Sequence, residues 1–255
     1  MSEPGDWDQL IVEGRARCEV PATALTFLKK LSTASKPVLL SCDDGREYLV
    51  KGRQNGRMIV SDRIVGLLGK VLESPVGDVT LVRVPQELIQ AQPEMHHMEP
   101  GVSHGSVWIP NCTERRGIQH FEDPVNRARF ASLAVLYGWV GAVDHQFIYD
   151  NSSPNQVYSV DHGHFFPGST GWSIETLKAA GSPITDRNIM SACGIQSEEL
   201  EVAFGKLNDM SDSQIASNVA AVPVDWKLSS EESVHLTEFL CERRDALLSA
   251  REKST

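Results

Sequence analysis

Apolar and polar positions change period several times along the chain, and each change predicts an element. The segment from Ala22 to Leu31 predicts a first helix. Two short β-rich runs follow, Pro37 to Cys42 and Glu47 to Lys51, around the turn Asp43, Asp44, Gly45; an Asp-Gly turn between such runs is a strong hairpin signal. Ser61 is placed to cap a second helix, in which Ile64, Leu67, Leu68, Val71 and Leu72 recur at helical spacing. Val79 to Val84 reads as a further strand. Asp123 and Pro124, a cap and first-turn pair, open a long helix to about Gly138.

Downstream, Gln146 to Tyr149 and Gln156 to Val160 form a second strand pair across a polar turn, and beyond Trp172 the pattern turns helical. Ser229 and Glu232 make a capping box for the last helix, with Leu236, Phe239, Leu240 and Leu247 along one side. The expected class is α+β: an antiparallel-sheet lobe at about residues 12–112, then a mostly helical lobe at about 113–255, in one domain over 1–255.

Composition narrows the partners. At 255 residues, 41% hydrophobic and 23% charged, the chain resembles an ordinary globular protein. It carries no run of the ~18 to 20 apolar residues that a membrane helix needs. A net charge of −10 argues against general nucleic-acid binding, which draws on an excess of Lys and Arg. Five scattered cysteines without a CxxC pair, and acidic residues where a secretory leader would be basic, point to a reducing, cytoplasmic setting.

The candidate chemistry lies around the second hairpin. Asp144 precedes it and Asp161 follows it, and a tight hairpin returns its ends to one place. Phosphoryl transfer needs one carboxylate to orient the attacking hydroxyl, another to hold magnesium, and a lysine to neutralise phosphate charge. Lys51, ending an apolar strand, is the candidate cation. Singly, each has an ordinary explanation: an Asp beside a turn commonly caps it, and a Lys at a strand end commonly meets solvent. Their order along the chain is what narrows the choice. His145, His162 and His164, with His96, His97 and His104 upstream, leave a second reading open, a His/Asp metal-dependent enzyme. Arg115 and Arg116 read as a solvated loop.

Four segments together resemble the HipA-like kinase family, a distant relative of phosphatidylinositol kinases and protein kinases: Tyr48 to Gly52, the helix and strand from Ser61 to Val84, Asp144 to Tyr149, and Val160 to Phe166. The resemblance runs from about Pro37 to Trp172. It implies a two-lobed kinase-like fold binding ATP and Mg2+, with an unidentified protein substrate. Lys51 would contact the nucleotide phosphates, Asp144 would be the catalytic-loop aspartate, and Asp161 would ligate magnesium. Gln146 is the nearby amide that could serve as second metal ligand, and Asp44 and Gly45 stand for a reduced glycine-rich loop at the nucleotide. No glutamate is evident to pair with Lys51, so a nucleotide-binding pseudokinase or regulatory protein is the alternative within the same fold.

Overall fold

The computed structural model describes residues 6–15, 19–114, 117–152 and 155–252; Arg115 and Arg116 lie outside them. After helix α1 (Asp6–Arg15), the first lobe is built on β1 (Ala22–Lys30), β2 (Val38–Cys42), β3 (Glu47–Lys51), β4 (Val79–Val84) and β5 (Gly101–Val107). These close into a barrel in the order β1-β2-β3-β5-β4, in which β1 runs parallel to β4 and every other pair is antiparallel. Strand alternation sends Val38, Leu40 and Cys42 of β2, Tyr48 and Val50 of β3, and Val82 and Val84 of β4 into one buried cluster. Helix α2 (Arg57–Val71) crosses between β3 and β4, and α3 (Gln86–Ala91) between β4 and β5.

The β2–β3 hairpin forms as expected. Gly45 takes φ +78°, a conformation that favours glycine, and Asp44 accepts a bond from the Arg46 amide at 3.0 Å and another from the Tyr48 hydroxyl. Two expectations are corrected. The segment from Ala22 is strand β1, not a helix: its register slips between Ala24 and Thr26 and again between Phe27 and Lys29, and these irregularities erase the alternation that marks a strand. Helix α2 starts at Arg57, not Ser61; the Ser61 hydroxyl lies inside it and bonds back to the Arg57 carbonyl at 3.2 Å.

The second lobe holds β6 (Cys112–Glu114), α4 (Pro124–Val140), β7 (Phe147–Asp150), β8 (Gln156–Ser159), α5 (Ile174–Lys178), α6 (Arg187–Cys193), α7 (Glu201–Asp209), α8 (Asp212–Ala220) and α9 (Ser230–Glu252). Asp123 caps α4 as its sequence predicts, accepting the Val125 amide at 2.8 Å. Strands β6, β7 and β8 make a small antiparallel sheet. The Ser229–Glu232 capping box is present in both directions, at 3.1 and 2.9 Å.

The main core runs through both lobes. Ile59, Val60, Ile64, Val65 and Leu68 of α2 join the cluster formed by Phe130, Leu133, Leu136 and Tyr137 of α4 with Leu236 and Leu240 of α9. Helix α2 is thus packed into the second lobe as well as against the barrel, so its position ties one lobe to the other. Of the tryptophans, Trp139, Trp172 and Trp226 are buried packing residues, and Trp108 lies under the ammonium of Lys29. Among the described residues no helix is long and apolar enough to cross a membrane.

Candidate active site

Tyr48 and Val50 face the barrel interior, so Lys51, one residue on, faces outward across the wall, beside its register partner His104 on β5. There it meets α2. The Lys51 ammonium bonds Asp62 Oδ2 of that helix at 2.7 Å and Asp161 Oδ1 at 2.6 Å. Asp161 lies two residues past the end of β8 and takes φ +58°, a left-handed conformation that carries local strain in a non-glycine residue.

The Lys51 and Asp62 side chains are 7% and 4% exposed, whereas Asp161 is 23% exposed and opens toward solvent. Burial alone would lower the Lys51 pKa; the carboxylates of Asp62 and Asp161 override it and raise the value. Burial would raise the Asp62 pKa, and Lys51 reverses that, holding the group ionised. The neighbouring imidazoles add no charge near neutrality: burial pushes His104 down to about 3 and His162 down to about 4. Two carboxylates and one ammonium leave this site with one uncompensated negative charge.

The hairpin expectation for Asp144 and Asp161 rests on register. Phe147 pairs with Ser159, and a further bond from the Val160 amide to the Gln146 carbonyl at 3.1 Å extends the ladder one step. The ladder stops there, since Asp161 takes φ +58°, and leaves Asp161 at the same end of the hairpin as the segment from Asp144 to Gln146. The Asp144 carboxylate is held by its neighbours: Oδ1 accepts the His145 amide at 2.9 Å and Oδ2 accepts the Gln146 side-chain amide at 2.8 Å. Since Gln146 spends its NH2 on Asp144, its carbonyl oxygen is the end left for another partner. Lys51, Asp144, Gln146 and Asp161 are therefore gathered around the open end of one hairpin.

Asp44 and Gly45 are not brought there. They join the far end of β2 to the start of β3, and four strand steps of about 3.3 Å separate Glu47 from Lys51. The loop on the Lys51 side is 31–37, between β1 and β2, because Lys30 pairs with Val38 and Val38 with Val50. This loop carries Ser32, Thr33, Ser35 and Lys36 and is closed by a bond from the Leu31 amide to the Pro37 carbonyl at 2.9 Å. With β1 read as helix, nothing placed it between strands. Asp62 was the other residue missed as a partner for Lys51.

The histidines go to separate partners. His162 Nε2 bonds Ser159 Oγ at 2.8 Å, His164 Nδ1 bonds Ser169 Oγ at 2.9 Å, and His97 Nε2 bonds the Lys36 carbonyl at 2.8 Å. Among the described residues no three His, Cys, Asp or Glu side chains gather as a metal-binding set, so the histidine-metal reading has no geometry behind it.

The family model for HipA-like kinases matches residues 27–166, more than half of the chain. The chain belongs to the HipA-like kinase family. No curated protein sequence matches it. Among solved structures, the Helicobacter pylori proinflammatory kinase CtkA aligns with a TM-score of 0.60 at 11% identity, over 92% of this chain and 98% of that one. The Golgi casein kinase aligns at 0.51 and 12% identity, over 99% of this chain and 78% of that one, and its form with Mn/ADP bound aligns at 0.50. At such identities these likenesses speak for the fold, and the fold is a kinase fold. The matched span contains every residue of the gathered site.

Proposed function

We propose that this HipA-like kinase transfers the γ-phosphoryl group of ATP to a protein hydroxyl in a magnesium-dependent reaction, in the cytoplasm. The observation that carries the reading is the Lys51 ammonium held between buried Asp62 and partly exposed Asp161, with Asp144 at the same end of the hairpin. Lys51, fixed by Asp62, contributes positive charge to the nucleotide phosphates. The 31–37 loop, at the same end of the barrel, offers backbone amides and hydroxyls over them. Asp144 orients the acceptor hydroxyl and takes its proton as the new O–P bond forms and the bond from Pγ to ADP breaks.

The residues fit a magnesium ion. Asp161 gives only Oδ1 to Lys51, Gln146 has its carbonyl oxygen left, and the site carries uncompensated negative charge; a carboxylate and an amide oxygen are the hard donors this ion prefers. Asp161 and Gln146 would hold it, and when bound it neutralises charge on the phosphates. The Golgi casein kinase form that carries Mn/ADP supports nucleotide and divalent-metal use here. The four described cysteines, Cys42, Cys112, Cys193 and Cys241, are free thiols, in keeping with a reducing compartment.

Titration calorimetry tests the nucleotide site. Lys51→Met should weaken ATP binding with or without magnesium, whereas Asp161→Asn should weaken only the magnesium-dependent part. Parent-like Mg-ATP affinity in both variants would show that the site is misplaced.

A further inference from the structure

His145 has a partner that the phosphoryl-transfer reading does not use. Its Nε2 lies 2.8 Å from Asp186 Oδ2. A carboxylate accepts only, so the ring nitrogen donates. Asp186 is 41 residues away in sequence and comes from the start of α6, and several independent contacts fix it there. Its other oxygen, Oδ1, accepts the Ile189 amide at 2.8 Å as N-cap of α6, and its own amide donates to the Ala134 carbonyl on α4 at 2.9 Å. The segment before it lies against α4 at Gly138: a Cβ on that glycine would come within 2.0 Å of the Ile184 carbonyl oxygen.

The imidazole is also packed. Tyr137 of α4 sits 5.0 Å from it, ring to ring, and Phe147 meets it edge-on at 6.5 Å. The same residue's backbone amide holds Asp144 Oδ1 at 2.9 Å. One residue thus grips the core through its ring and Asp144 through its backbone. Residues 142–145 have no regular structure of their own, and the ladder takes hold only from the Val160–Gln146 bond onward.

We propose that Asp186 is a positioning residue for phosphoryl transfer, acting through His145 to fix the loop that presents the Asp144 carboxylate. The proposal rests on the reading of Asp144 as the residue that orients the acceptor. It extends the site past the kinase motifs: Asp186 lies beyond residue 166, where the family match ends.

A double-mutant cycle on the full chain tests it. Asp186→Ser keeps a capping hydroxyl for α6 but is too short to reach His145. His145→Ala removes the other half, and Asp186→Asn restores an acceptor oxygen. Transfer of labelled γ-phosphate into a generic protein acceptor gives kcat and KM for ATP, and calorimetry gives nucleotide affinity. Each single variant should lower kcat by about 10- to 100-fold, the scale of a small misplacement of a reacting group, with nucleotide affinity within about twofold of the parent. The double variant should be no slower than the slower single one, and Asp186→Asn should recover most of kcat. Losses that multiply in the double variant, or a parent-like kcat in Asp186→Ser, would overturn the proposal. So would a loss of nucleotide affinity equal to the loss of kcat.

Hydrogen exchange of the 142–147 peptide decides the matter without turnover. Both single variants should open it to the same degree and the double no further; unchanged exchange overturns the proposal. Asp144→Asn run alongside separates the two claims: full transfer in that variant defeats the catalytic reading itself, while its loss together with an additive cycle defeats only the role of Asp186.

Discussion

Removing Asp62 should cost the fold a large share of its stability, although Asp62 faces no ligand directly. In Asp62→Asn the Lys51 ammonium, 7% exposed, keeps only Asp161 as a charged partner. Removing one member of a buried pair typically costs about 3–5 kcal/mol, because the other charge is left desolvated. The surviving contact to Asp161 at 2.6 Å places the loss near the lower end, about 3 kcal/mol. For a chain of this length each kcal/mol moves the midpoint by about 2 to 4 °C, so the fall should be roughly 6 to 12 °C.

Calorimetric unfolding at pH 7 measures this where Asp62 contributes in full. Its folded pKa is lowered, so its contribution is present above the unfolded value of about 3.9 and is lost as pH falls through the folded one. Lys51→Met/Asp62→Asn removes both charges and should be no less stable than Asp62→Asn alone. A midpoint for Asp62→Asn within about 2 °C of the parent, or strictly additive losses in the double variant, would refute the argument that this pair is closed, buried and mutually dependent.

Two further outcomes follow from the same geometry. Burial holds His104 at about 3, below an unfolded value of about 6.5, so below pH 6.5 the unfolded chain takes up a proton that the folded one refuses. This residue should therefore cost about 1.4 kcal/mol per pH unit between about 6.5 and 3, and His104→Gln should flatten that part of a stability–pH curve; an unchanged slope would show that His104 is not buried in its neutral form. Mg-ATP at about 100 times its dissociation constant should add roughly 2.7 kcal/mol, a rise of several degrees in a thermal-shift titration. No movement with magnesium or with manganese would count against a nucleotide site.

The parts of the site legible in the sequence were those set by local signals. The Asp-Gly turn fixed the β2–β3 hairpin and with it the strand position of Lys51; the polar turn between β7 and β8 brought Asp144 and Asp161 to one end. Local signals failed where long-range pairing decides. β1 contains two register slips, so no clean alternation survives to announce it, and only its pairing with β2 and β4 makes it a strand. That error hid the 31–37 loop and left the Asp44 turn as the candidate phosphate loop at the wrong end of the barrel. Asp62 was lost to a four-residue error in a helix start. Counted from Ser61, it falls in the first turn, where an acid is ordinary; counted from Arg57, it lies inside the helix, where a buried carboxylate calls for a partner. Nothing local could have joined His145 to Asp186, since they meet only after α6 docks on α4.

The central claim is that Asp144 orients the acceptor hydroxyl and does not hold the nucleotide, and Asp144→Asn tests it most directly. Labelled γ-phosphate can be followed from ATP into the protein itself, into a generic protein acceptor and into water, with nucleotide affinity measured on the same preparations. Positioning and proton acceptance are together worth about 10² to 10⁴ in rate, so transfer should collapse while affinity stays within a few-fold of the parent. Full transfer by Asp144→Asn, or nucleotide binding without transfer by either protein, would contradict the account.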